Sequence, residues 1–107
     1  AIVAGNLVFL SGQIPLDPAT GQLVDGDVAA QTDRVMRNIA ALLKAAGTGF
    51  EHVVRTTVYL ADMNEFAAMN AVWESWVQPG HTPPRATVQA HLARPEWKIE
   101  IVVTAAT

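Results

Sequence analysis

Val53-Val54-Arg55-Thr56-Thr57-Val58-Tyr59-Leu60, closed by Ala61-Asp62, is rich in β-branched and aromatic residues and reads as a strand. It lies mid-chain between two stretches of helical period, and that placement decides the fold. Before it, Val28, Val35, Ile39, Leu42, Leu43 and Ala46 make one apolar stripe, with Asp25 or Asp27 available as N-cap and Gly47 as the stop. After it, between Asn64 and Val77, Phe66, Met69, Asn70, Trp73 and Trp76 share a face in steps of three and four, and Pro79-Gly80 ends the run.

Further out, Leu7-Val8-Phe9-Leu10 reads as a buried strand, and Ser11-Gly12-Gln13, Pro15, Asp17-Pro18 and Gly21 as a long turn. Arg85 to Leu92 and Trp97 to Ala105 supply two more strands. The order β-α-β-α-β-β predicts a single α+β domain over residues 1–107, with both helices packed on one face of the sheet.

Half of the 107 residues are hydrophobic and only 16% are charged, so a small domain of this kind needs an outlet for uncharged surface. Burial between subunits is the natural one. A net charge of −3 with scattered basic residues argues against nucleic acid as a partner. The absence of cysteine excludes disulfides, thiolate nucleophiles and Cys-type zinc sites, and is compatible with the cytoplasmic location expected here. No apolar run approaches membrane-spanning length, so no membrane partner is expected. The first residue is Ala1 rather than Met, which points to a processed or trimmed N-terminus.

Within Thr82-Pro83-Pro84-Arg85-Ala86-Thr87-Val88, two prolines hold the origin of the Arg85 side chain still, as a bidentate carboxylate clamp requires. The plainer alternative is an interface arginine paired with an acid. In Lys98-Ile99-Glu100-Ile101, Glu100 is a carboxylate inside a strand, suited to general acid or base work or to a salt bridge with Lys98 or Arg85. Alternation along both strands predicts that Arg85 and Glu100 point to the same face, away from the helices. His52, His81 and His91 lack metal-ligand spacing, so no metal is expected, and Ser11 lacks the setting of a nucleophile. Trp73 and Trp76 read first as packing residues.

Gly5-Asn6-Leu7-Val8-Phe9-Leu10-Ser11-Gly12-Gln13-Ile14-Pro15, Asn38, Val54 to Val58, Phe66 to Trp73, Pro84-Arg85-Ala86-Thr87-Val88 and Lys98-Ile99-Glu100-Ile101 together resemble the RidA (YjgF) family of reactive-intermediate deaminases. The resemblance covers nearly the whole chain in order. It implies a chorismate-mutase-like fold with a mixed sheet, assembled as a homotrimer with sites in the clefts between subunits. It also implies that the last two strands flank Val53–Leu60 instead of forming a hairpin, which sets Arg85 and Glu100 about 10 Å apart sideways.

The implied activity is hydrolysis of 2-enamines and 2-imines, such as 2-aminoacrylate or 2-iminobutanoate, to 2-oxo acids and ammonia. Arg85 would hold the substrate carboxylate and Glu100 would orient and deprotonate a water, with no cofactor. Ser11, Gly12, the backbone N–H of Thr87 and, more weakly, Asn70 would line the pocket. The alternative is a non-catalytic trimeric module that binds small carboxylates or client proteins. The chain departs from the family pattern in three places. It begins after the expected Gly-Pro-aromatic segment, so the N-terminal strand reads as truncated; Thr87 replaces a frequent Cys, and Val102 a frequent second acid.

Overall fold

A computed structural model describes all of residues 1–107. Its elements are β1 (Ile2–Ala4), β2 (Leu7–Phe9), α1 (Val28–Ala45), β3 (Val53–Leu60), α2 (Phe66–Trp76), β4 (Arg85–Gln89) and β5 (Ile99–Ala106). The five strands form one mixed sheet in the order β1-β2-β5-β3-β4, in which only β3 and β4 are parallel. A parallel pair needs a crossover, and α2 supplies it. β4 and β5 therefore lie on either side of β3, as the resemblance implied.

The expected element order holds, with β1 added in front. Ile2-Val3-Ala4 pairs with Leu7-Val8-Phe9 across a two-residue turn, and Gly5 at φ +60° takes the first central position, which suits a tight hairpin. β4 is shorter than expected. It stops at Gln89, opposite Leu60, where β3 ends and ladder partners run out.

α1 begins and ends as its sequence dictates. The Asp27 side chain accepts a hydrogen bond from the Ala30 N–H at 3.0 Å. At the other end Gly47, at φ +82°, donates to the Lys44 carbonyl and Thr48 donates to the Leu43 carbonyl, a Schellman closure. Val35, Met36, Ile39 and Leu43 are buried, whereas Leu42 is 36% exposed and lies at the rim of the stripe instead of within it. α2 is preceded by a 3₁₀ turn over Met63–Glu65, in which the Asp62 side chain accepts from Asn64 N–H at 2.9 Å.

Sheet residues Val8, Val58, Leu60, Ile99, Ile101 and Val103 meet these helices in one core, joined by Met69 and Trp73 of α2. Each such side chain, fully buried, contributes roughly 1.5–3 kcal/mol. Gln31 is buried among them and ties α1 to the approach to β5. Its Nε2 donates to the Glu96 carbonyl at 3.2 Å and its Oε1 accepts from Lys98 N–H at 2.8 Å. The opposite face of the sheet carries no helix. Phe9, Tyr59, Val88, Val102 and Thr104 lie on it by register, and Phe9 and Val88 are each 42% exposed.

Register corrects one expectation outright. Arg85 pairs with Thr56 and Glu100 with Tyr59, and neighbours in a β-ladder share a face. Thr56 is fully buried beneath the helices, so Arg85 points to the helix side and Glu100 to the bare side. Alternation alone misled because Ala86 and Val88, the apolar set of β4, were assigned to the core. Both faces of this sheet carry apolar residues, and period two cannot say which one is buried.

Candidate active site

Arg85 leaves the first position of β4, directly after the buried Pro83 and the exposed Pro84, and enters a cleft of about 520 Å³ between β4 and α2. Its guanidinium carbon lies 5.0 Å from the centroid of the Trp73 ring and 5.5 Å from that of Phe66. Two rings at such distances hold a cation by its charge without neutralising it. Its NH1 donates to Asn70 Oδ1 at 2.7 Å, and Asn70 Nδ2 donates on to Glu74 Oε1 at 3.1 Å. Because the Asn70 amide nitrogen must face a carboxylate, its oxygen is committed to Arg85.

No carboxylate forms an ion pair with Arg85. Burial pushes its pKa below the usual arginine value, an effect that Glu74 opposes, and the group keeps its charge throughout the physiological range. Of its five N–H donors one is engaged within the chain. The cleft is lined further by Glu74, Gln78, Thr82 and Pro83.

Thr87 follows two residues on, on the same side of the sheet, with its hydroxyl buried and unpartnered. Ala90 N–H donates inward to the Leu60 carbonyl, so alternation turns the N–H groups of Arg85, Thr87 and Gln89 outward along the free edge of β4. A backbone donor at Thr87 is thus presented on that edge, two residues beyond Arg85.

Ser11, Gly12 and Glu100 gather elsewhere. After β2 the chain continues along β5, with Leu10 N–H donating to Val103 and Gln13 exchanging both backbone bonds with Ile101. Ser11 and Gly12 together oppose Val102, a bulge that presses the Gly12 backbone against the Glu100 side chain. A Cβ at position 12 would collide with the Glu100 carboxylate. That carboxylate is half-buried, and it makes neither a hydrogen bond nor an ion pair with Lys98, Arg85 or any other side chain. Ser11 is exposed.

One chain therefore brings Arg85 together with Asn70 and Thr87, and Glu100 together with Gly12 and Ser11, but keeps the two groups apart. Their backbones differ by three residues along β3 and two strand spacings across it, roughly 14 Å in all, and their side chains diverge to opposite faces. Phe66 and Glu74 are neighbours of Arg85 that the sequence reading did not place at the site, and Trp73 is one that it read first as packing. The signal was the face shared by Phe66, Asn70 and Trp73, which reads equally well as core.

Arg85 thus offers a cation with free donors on one face of the sheet, and Glu100 a carboxylate without a partner on the other. The family model described as Endoribonuclease L-PSP matches residues 1–107. Protein DfrA of Myxococcus xanthus is 51% identical over 98 residues, which span 92% of this chain and 74% of that protein. A 2-iminobutanoate/2-iminopropanoate deaminase of Rattus norvegicus is 41% identical over 101 residues, spanning 94% and 73%. The crystal structure of RidA from an Antarctic Psychrobacter matches with a TM-score of 0.91 at 34% identity, covering 99% of this chain and 85% of that one. The chain belongs to the endoribonuclease L-PSP family, known also as the YjgF/RutC/RidA family.

Proposed function

We propose that this chain hydrolyses 2-imino acids, and 2-enamino acids through their imine tautomers, to 2-oxo acids and ammonia at a site built by two copies. The observation that carries this reading is the partly buried Arg85 guanidinium, held near two aromatic rings and bonded to a neutral amide, with its remaining donors free. A substrate carboxylate completes it by a two-point, charge-assisted contact, which fixes the adjacent C=N carbon. The names of relatives such as the rat deaminase support the substrate class.

Glu100 of a second copy takes a proton from water as the oxygen attacks that carbon and the C=N electron pair moves to nitrogen. The carboxyl returns that proton to the nitrogen, giving a neutral carbinolamine; the carboxylate then takes the carbinolamine's hydroxyl proton and delivers it to the nitrogen as the C–N bond breaks and the C=O bond forms, so that ammonia leaves. The outward N–H of Thr87 and the Ser11-Gly12 backbone line the substrate, and Asn70 holds Arg85 in place. The apolar, helix-free sheet face is the surface on which copies meet, and a closed homotrimer is the assembly proposed.

A second reading is a carboxylate-binding module without turnover, because the Arg85 cleft is complete in one chain whereas Glu100 lies on the other face. One experiment separates the two. 2-Iminobutanoate or 2-aminoacrylate is generated enzymatically and trapped with semicarbazide, in parallel with calorimetry on 2-oxobutanoate. A fall in trapped imine is expected; undiminished trapping with binding intact would leave only the module. A nuclease role has little support from an acidic chain with dispersed basic residues.

A further inference from the structure

A second cavity, of about 310 Å³, opens between the outer face of α1 and the turn that follows Gln13. Its floor is apolar, formed by Ile14, Leu16, Pro18, Ala41 and Leu42. Leu42 is the large side chain that the α1 stripe leaves open. At its rim stands Arg34, whose Nε donates to Asn38 Oδ1 at 3.1 Å. Asn38 Nδ2 donates in turn to the carbonyls of Leu16 at 2.9 Å and Ile14 at 3.4 Å. With its amide hydrogens committed to two carbonyls, Asn38 must offer its oxygen to Arg34, and that bond orients the guanidinium. The terminal nitrogens of Arg34 have no partner, and the adjacent Asp33 is engaged by Arg37 and Trp76.

We propose that this groove is a second ligand site, for a small apolar monocarboxylate: the chain lies on Leu42, Ala41 and Leu16 while the carboxylate meets the free edge of Arg34. An apolar floor alone would accept any hydrocarbon. Charge complementarity at one end selects the acid. The size, at the low end for ligand pockets, selects a small one.

Octanoate is the probe, with 1-octanol as the same chain lacking a carboxylate, each titrated into the isotope-labelled intact protein and followed by amide chemical shifts. Saturable shifts at Ile14, Leu16, Arg34 and Leu42 are expected with octanoate, retained in Arg85→Ala. They weaken about tenfold or more in Arg34→Gln and with octanol, as loss of a charge-assisted bond requires. Leu42→Glu, at an exposed position, sets a like charge in the groove and should abolish binding even if Arg34→Gln proves unstable. Three results would each overturn the proposal: no saturable shift at these residues, shifts confined to the Arg85 cleft and lost in Arg85→Ala, or equal affinity for octanol.

Discussion

Arg85 and Lys are not equivalent at the mouth of the cleft. The guanidinium carbon lies within 5.5 Å of the Trp73 and Phe66 ring centroids while one N–H holds Asn70, and an ammonium offers neither the plane nor the fork. Arg85→Lys is expected to lower kcat/KM for imine hydrolysis by about 100-fold or more, since two charge-assisted bonds are at stake. Retained activity within a few-fold would remove the clamp from the mechanism. Gly12 makes a complementary case on the other face. Its backbone conformation is open to any residue, so only the Glu100 carboxylate excludes a side chain there. Gly12→Ala should displace that carboxylate and depress kcat about tenfold or more while leaving the thermal midpoint nearly unchanged, as expected for a group that acts on the reacting water. A large loss of stability with normal kcat would show that Gly12 serves packing instead.

At the scale of elements, local signals were legible wherever one residue type had one physical use. Asp27 caps α1, Gly47 closes it, and the β-branched run Val53–Leu60 is a strand with those bounds. The β1–β2 hairpin went unread, because three residues of strand on either side of Gly5-Asn6 are too few to display a period. What could not be read was which face of β4 met the helices, and so the pairing of Arg85 with Glu100 was misjudged. α1 is held by long-range bonds equally invisible in sequence. Buried Gln31 satisfies one part-buried carbonyl and one part-buried N–H near β5, and Gln31→Leu strands both. The expected cost is about 1–3 kcal/mol, seen as a lower urea midpoint at unchanged m value. Asp33 joins α1 to α2 by accepting from Arg37 at 2.7 Å and from Trp76 Nε1 at 3.1 Å. The Arg37 bond, more than the smaller Trp76 bond, holds its carboxyl below the ordinary value of 3.8. A depressed pKa contributes stability above the unfolded value near 3.9, and that contribution is lost as pH falls through the folded value. The advantage of the native chain over Asp33→Asn in thermal midpoint should therefore shrink below about pH 4. It should be small throughout, because the side chain is 40% exposed. An advantage that grows on acidification would contradict the sign.

The whole molecule is where the two halves of the site must be reconciled. One chain sets Arg85 and Glu100 on opposite faces of its sheet, and no side-chain rotation brings groups together through a paired five-stranded sheet. If both act on one substrate, they come from different copies, and the bare face carrying Phe9, Tyr59, Val88 and Val102 supplies the contact. Charge placed there should separate the copies: Val88→Asp, at a 42% exposed position, is expected to give a folded monomer that retains the Arg85 cleft but lacks imine hydrolysis. The decisive experiment mixes two inactive variants. In a cyclic trimer each site takes Arg85 from one subunit and Glu100 from the next. A wild-type site therefore requires a Glu100→Gln subunit followed by an Arg85→Ala subunit, which random assortment at equal proportions provides at about one site in four. Unfolding and refolding the variants together should restore about a quarter of native activity, whereas mixing them already folded should restore only what subunit exchange allows. Were both residues to act within one chain, every site in the mixture would lack one of them. Refolding together would then recover nothing, and the composite site would have to be abandoned.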